Sequence, residues 1–354
     1  MHLINTTPVP ARWLVGPTMG GRSCALLVAK ATFSMRGGRA PELRETGALP
    51  IYTQDVPTPL GLLPADVHPR QSDSFEVIVL GYGYAPDGSA TATTVALRVG
   101  EVRRELMVVG RRVWLGSGRT SRPSAPERFD RVPLTWQEAH GGAAEVELGP
   151  GRSVELIDPL NRYGRGFDPS EHMVRLPKVE RVEPGYPRTR YVRELPRVED
   201  PAVAIEHWLD RPEPACWATI PPEIGFATIR TLRRLRSGAP APSGRQEDNC
   251  DRAHPDWTIA VPEAGAEIEM VGLHAAGSET TRLPRLRVVA DFVIGRSGGT
   301  LDLAPRLLVL EPEAGRMSVV FRKIVQLDAT VAGVGQECRV RLRLEEGFAE
   351  EVGV

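Results

Sequence analysis

Antiparallel β-sheet, in sandwich or barrel form, is the fold class this sequence predicts. Three observations carry the prediction. Short runs rich in β-branched and aromatic residues recur at both ends of the chain, glycine-bearing turns separate them, and few stretches have helical spacing. The 354 residues suit one large β-type domain or two joined cores. Glycine (35) and proline (32) together make nearly one residue in five, which indicates a folded chain with many turns.

The first 150 residues read as an amino-terminal β region. Residues 25–33 (ALLVAKATF) and 75–82 (FEVIVLGY) suit buried strands. Residues 93–115 contain three apolar runs broken by Gly100 and Gly110, as in a meander. Pro86, Asp87 and Gly88 supply turn chemistry.

Residues 151–250 are rich in proline and lose periodicity, so the middle region is expected to be loop-rich and pinned by one or two short helices. One is predicted at 203–210, with His207 and Trp208 side by side. The other is predicted at 223–236, with an apolar face, arginines in its last turn and Gly238 as its stop. A carboxyl-terminal β region follows at 251–345, with strands expected at 267–273, 285–294, 306–310, 317–321 and 338–344. In the last of these, Cys338, Val340, Leu342 and Leu344 alternate with arginines, the pattern of a half-exposed strand. Ser297–Gly298–Gly299 and Glu313–Ala314–Gly315 read as hairpin loops, and 346–354 as an acidic tail. Whether the two β regions share one core stays open at this level.

The formal charge is −1, so no global field draws the chain to nucleic acid or an anionic membrane. All but three of the 44 cationic side chains are arginine; with alanine, glycine and proline also abundant, this reads as GC-rich coding rather than phosphate recognition. Four scattered cysteines without a CxxC pair suit reduced thiols in a cytoplasm. The amino-terminal residues lack the pattern of a signal peptide, and no apolar run is long enough to span a bilayer. Cytoplasmic localisation and no membrane partner are the expectations.

Chemical signatures are sparse. There is no Walker loop, no complete dinucleotide fingerprint, no GxSxG elbow and no zinc-like histidine spacing, so neither cofactor nor metal is expected. The most enzyme-like stretch is Trp136–Gly142 (WQEAHGG), where Glu138 and His140 precede two glycines whose amides suit an oxyanion. The preferred reading is a tight turn fixed by those side chains. Lys30, inside an apolar strand, is either a nucleophilic amine of depressed pKa or, as the preferred reading, a lysine that faces solvent or pairs with a carboxylate. Residues 158–167 (DPLNRYGRGF) mix Asn161, Arg162 and Arg165 with Gly164 and Gly166, as suits a rigid polar loop that either holds a ligand or locks the subdomains together.

Several of these stretches form an ordered series: AKATF (29–33), LGYGYAPDG (80–88), VVGRRVW (108–114), VPLTWQEAHGG (132–142), DPLNRYGRGF (158–167) and LPKVE (176–180). PACWATIPPEIGFATIRTL (214–232) and AHPDWTI (253–259) extend it. The series resembles a bacterial domain-of-unknown-function family encoded beside type VI secretion spike proteins and toxic effectors. The chain departs from that family's pattern at Arg111, His140 and Asp158, where the family commonly carries aspartate, phenylalanine and asparagine. No catalytic residues are carried over.

The resemblance implies a non-enzymatic adaptor or chaperone that binds a toxin effector in the bacterial cytoplasm and helps load it onto the secretion spike. Such a protein needs a broad surface with aromatic anchors. Candidates among the landmark loops are Tyr82, Tyr84, Trp114, Trp136, Tyr163 and Phe167, with core packing the preferred reading of the tryptophans. Lys30, Arg112, Glu138, His140, Asn161 and Arg162 complete the partner-binding or structural set. The alternative from another class is an enzyme or small-ligand protein whose pocket gathers Lys30, Arg112, Glu138, His140 and Asn161. Nucleic-acid binding through the arginines of 230–236 ranks below both.

Overall fold

In a computed structural model, the structure describes residues 2–17, 23–35, 40–67, 74–116, 120–169, 180–191, 193–207, 209–224, 252–294, 297–326 and 338–346. The fold is mainly β, as the sequence predicts, and its larger sheet is antiparallel for most of its extent and nearly closes into a barrel. Among the described residues no helix is long and apolar enough to cross a membrane.

The order of the barrel strands explains how distant segments come together. Ser23–Ser34 lies between Ala11–Pro17 and Arg316–Gln326, antiparallel to both, with Ala11 opposite Ala29 and Val320 opposite Lys30. Arg316–Gln326 then pairs with the long strand Ser297–Glu311, which pairs with Leu286–Ile294, which pairs in turn with Cys338–Glu346. His2–Asn5 runs parallel to Cys338–Glu346 and ends the series at 2–5, beside the segment that begins the other end at 11. Phe75–Val79 adds to the same sheet, parallel to Leu307–Leu310. Its five residues are buried throughout, which matches the unbroken apolar run that a strand covered on both faces requires.

A second sheet of five strands runs in the order Val198–Glu199, Val102–Val109, Ala92–Val99, Glu267–His274 and Gly277–Arg282. Both sheets therefore mix residues from the amino-terminal and carboxyl-terminal β regions. One hydrophobic cluster serves both, running from Val28 and Phe75 through Leu97 and Trp136 to Ile268, Leu308 and Val340. Within it Trp217 and Trp257 meet edge to face at 5.8 Å.

The predicted turns resolve in two ways. At Pro86–Gly88 a single 3-10 turn forms with Asp87 at φ 55°, a conformation that aspartate tolerates. Pro312–Ala314 with Gly315 joins Ser297–Glu311 to Arg316–Gln326, as expected of a hairpin loop. Ser297–Gly298–Gly299, by contrast, is strand and not loop: Ser297 pairs with Ile294 and Gly298 with Val293, leaving only residues 295–296, outside the described residues, between the strands.

The helix expected at 203–210 is not formed. The Asp210 carboxylate accepts the backbone N–H groups of Glu206 (2.9 Å) and His207 (2.7 Å), and His207 Nδ1 accepts that of Leu209 (3.2 Å). These side-chain acceptors capture donors that a helix would direct to backbone carbonyls, so the segment closes as turns. Of the second helix only one 3-10 turn, Pro222–Ile224, is described; 225–236 lie outside the described residues, as do Trp208 and the 347–354 part of the tail.

Candidate partner-binding surface

Period-2 alternation builds one outward face from two short strands. Tyr82–Tyr84 pairs antiparallel with Arg131–Pro133, so that Tyr84 lies opposite Arg131 and Tyr82 opposite Pro133. Gly83 and Val132 are buried beneath, which leaves both tyrosines, Arg131 and Pro133 on the outer side. The Arg131 guanidinium lies 4.4 Å from the Tyr82 ring centroid, and its Nη1 lies 3.4 Å from the Tyr84 hydroxyl. That hydroxyl donates to Glu313, on the turn before Arg316–Gln326, while Arg131 faces the same carboxylate at 3.8 Å. Burial, followed by the Glu313 contact, raises the Tyr84 pKa above its ordinary value, so the phenol stays neutral. The two tyrosine rings meet edge-on at 6.2 Å. These contacts hold the half-buried rings in one arrangement before any partner arrives.

The face continues into a cleft of about 660 Å³. Pro133 belongs to its lining, together with Trp136 and Tyr163 and with four further prolines, Pro57, Pro59, Pro221 and Pro222. Proline walls carry no N–H donors and have little freedom to lose, so the cleft presents rigid apolar surface. Tyr163 is 38 % exposed at the rim. Trp136 is buried, and its indole N–H donates to the Ala218 carbonyl at 3.1 Å.

Behind this surface the two landmark loops interlock. His140–Gly141 runs parallel to Arg165–Gly166. Asn161, fully buried, donates from Nδ2 to the carbonyls of Trp136 (2.7 Å) and His140 (3.0 Å), while its own carbonyl accepts the N–H of Gly142 at 2.7 Å. Gly141 adopts φ 138°, and a Cβ there would sit 2.1 Å from the Asn161 carbonyl oxygen. Glu138 accepts Arg165 Nη2 at 3.1 Å; Arg165 also meets Glu194, which Arg111 grips at 2.6 Å. Arg111 stands where the resembled family carries aspartate, and Glu194 compensates that charge. Asp158 accepts the Leu160 N–H at 2.8 Å, a bond that asparagine makes equally well.

Burial dominates the protonation of this region. It lowers the His140 pKa to about 4, helped by the nearby Arg211, and the imidazole is neutral although Asp158 lies 3.7 Å away. Burial raises the Glu138 and Glu199 pKa values against the opposing pull of Arg165 and Arg112 respectively. Arg112 and Glu199 form a nearly dry ion pair, with Arg112 also donating to the Pro196 carbonyl at 3.1 Å.

The twelve sequence-predicted residues thus divide. Tyr82, Tyr84 and Tyr163 reach the surface, and Arg162 is exposed beside Glu155. Trp114 is buried with Leu195 and Ile205, and Phe167 is buried near Arg211. Glu138, His140, Asn161 and Trp136 are fasteners of the interlock, whereas Arg112 pairs with Glu199 and the Pro196 carbonyl. Lys30 belongs to another group, buried in the barrel wall against Asp66 and Tyr52. The five polar residues of the enzyme alternative therefore have separate partners: Lys30 meets Asp66, Arg112 meets Glu199, and Glu138, His140 and Asn161 serve the interlock. Sequence reading placed Arg165 in the polar loop but missed Arg131, Pro133 and Glu313; the outward-inward-outward pattern of 131–133 was the available signal, but three residues are too short to register as a strand.

Among the described residues, no group of three or more His, Cys, Asp or Glu side chains is placed to hold a metal ion. No curated protein and no solved structure matches the chain. The bacterial family described as "uncharacterized protein conserved in bacteria (DUF2169)" matches residues 20–322, which include the barrel strands Ser23–Ser34, Phe75–Val79, Leu286–Ile294 and Ser297–Glu311, the five-stranded sheet and both landmark loops, but not His2–Asn5, Ala11–Pro17 or Cys338–Glu346. The chain belongs to that family.

Proposed function

We propose that the chain is a non-enzymatic adaptor that binds a toxin effector in the bacterial cytoplasm and helps load it onto the type VI secretion spike. The secretion context rests on the ordered landmark series. The observation that carries a binding role is the outward face of Tyr82, Tyr84, Arg131 and Pro133, running into a proline-walled cleft. Tyrosine and arginine are the residues that most often dominate protein interfaces, and here they are held in place before binding, which lowers the entropic cost of association. The landmark polar groups, by contrast, are engaged with one another inside the protein.

Co-purification with the products of neighbouring genes tests this reading. A stable complex with a toxin or spike protein, weakened by changes at Tyr82 and Tyr84, is the expected result. Absence of a complex with any such product overturns it. A second reading, a small-ligand site, is favoured only by the cleft's volume of about 660 Å³, which lies in the small-molecule range. It predicts a saturable thermal shift with a small molecule that substitution of Tyr163 abolishes.

A further inference from the structure

Among the described ion pairs, Lys30 and Asp66 make the driest, with side chains 2 % and 1 % exposed. Lys30 sits mid-strand between two paired neighbours, its backbone N–H bound to the Pro10 carbonyl at 2.9 Å. Asp66 is fixed by its own N–H to the Tyr52 carbonyl at 2.8 Å. Lys30 Nζ lies 3.0 Å from Asp66 Oδ2, with the carboxyl carbon one C–O bond beyond, and the Tyr52 ring covers the amine at 4.2 Å. The two carboxyl oxygens differ. Oδ2 accepts the Tyr52 N–H at 2.6 Å, whereas Oδ1 is buried without a hydrogen-bond partner.

We propose that Lys30 and Asp66 become joined by an intramolecular amide bond in the folded protein. Burial lowers the lysine's proton affinity and raises that of the aspartate, which moves the pair toward the neutral amine and neutral acid. The amine is then a nucleophile and the carboxyl an electrophile, held together in one dry site. Nζ attacks Cγ, and the charge that develops on Oδ2 is met by the Tyr52 N–H, already in place as an oxyanion donor. The Nζ–Cγ bond forms and the Cγ–Oδ1 bond breaks. Oδ1 leaves as water, carrying the carboxyl proton and one amine proton, so the step is redox-neutral and needs no second reactant. The product replaces a buried amine and a buried carboxyl group by one amide and ties the 40–67 segment, which carries Pro57 and Pro59 of the cleft, to the barrel strand.

Intact-mass measurement of the purified, denatured, full-length chain tests the bond. The expected mass is one water below the sequence mass. Proteolysis should then release a branched peptide linking Lys30 to Asp66, with no tryptic cleavage after Lys30. Lys30→Arg and Asp66→Ala should each return to their full sequence mass. A wild-type chain at full sequence mass that trypsin cuts at Lys30 overturns the proposal without reliance on any variant folding. A missing water that persists in Lys30→Arg overturns it as well, because the dehydration then lies elsewhere.

Discussion

The side-chain amide of Asn161 donates to the carbonyl of Trp136 at 2.7 Å and so joins two loops 25 residues apart. The same nitrogen serves the His140 carbonyl, so one buried group satisfies two acceptors that water does not reach. Asn161→Ala leaves the His140 carbonyl without this donor and the Trp136 carbonyl with only the longer 3.4 Å bond from the Ala139 N–H, and an orphaned buried acceptor costs about 1–3 kcal/mol. Urea unfolding should show a loss of about 2–4 kcal/mol, and Asn161→Asp should not recover it, because a carboxylate supplies no donors.

Gly141→Ala should be more damaging than most glycine substitutions. The backbone there is at φ 138°, and the added Cβ meets the Asn161 carbonyl oxygen at 2.1 Å, an atom the interlock cannot move. The expected result is a chain recovered mainly in the insoluble fraction, while Gly151→Ala, with open space around its Cβ position, stays soluble.

His140 should make stability depend on pH in a definite direction. Its pKa falls from the ordinary 6.5 to about 4 on folding, so the unfolded chain binds the proton more readily. Stability from this group is therefore complete above pH 6.5 and is lost as pH falls toward 4, by about 3 kcal/mol. His140→Phe removes the titration. Chemical denaturation at pH 7 and pH 4 should show wild type losing about 3 kcal/mol more than the variant; equal losses would contradict a neutral buried imidazole.

These fasteners show why the sequence disclosed the strands better than the site. Runs such as 75–79 and 338–344 carry their burial in their own residue types, and alternation or continuity of apolar side chains locates them without knowledge of the partners. The role of Asn161 depends instead on carbonyls of Trp136 and His140, which only the folded loops bring within reach. The 203–210 segment was misread because its composition suits a helix, while the outcome was decided by the carboxylate of Asp210. The parallel pairing of Leu307–Leu310 with Phe75–Val79 crosses more than two hundred residues, and no local pattern encodes it.

The Arg112–Glu199 pair should behave as a unit. Both side chains are nearly dry, at 10 % and 3 % exposure, so removing one partner leaves the other charge uncompensated. Arg112→Met should cost about 3–5 kcal/mol, and adding Glu199→Met should restore much of it, since an apolar pair of similar volume avoids desolvating ions. A double-mutant cycle by thermal unfolding measures the coupling. Near-additive losses would mean that Arg112 acts through the Pro196 carbonyl alone.

The outward tyrosines should separate binding from folding. Tyr82 and Tyr84 are half-buried on a face whose inner positions, Gly83 and Val132, do the packing, so Tyr82→Ala with Tyr84→Ala leaves the β-sheet circular dichroism intact. If this face holds the partner, the double variant should weaken the complex at least tenfold, about 1.4 kcal/mol, by calorimetry. Arg131→Glu removes the cation from the Tyr82 ring and sets a second acid beside Glu313, so it should weaken binding by a comparable factor without truncating an aromatic ring. Arg162→Ala probes the cleft end of the surface: its pairing with Glu155 is solvent-exposed, worth less than about 1 kcal/mol, and its guanidinium lies 5.8 Å from the Tyr163 ring centroid. Unchanged affinity in both tyrosine-face variants would assign the partner to another surface.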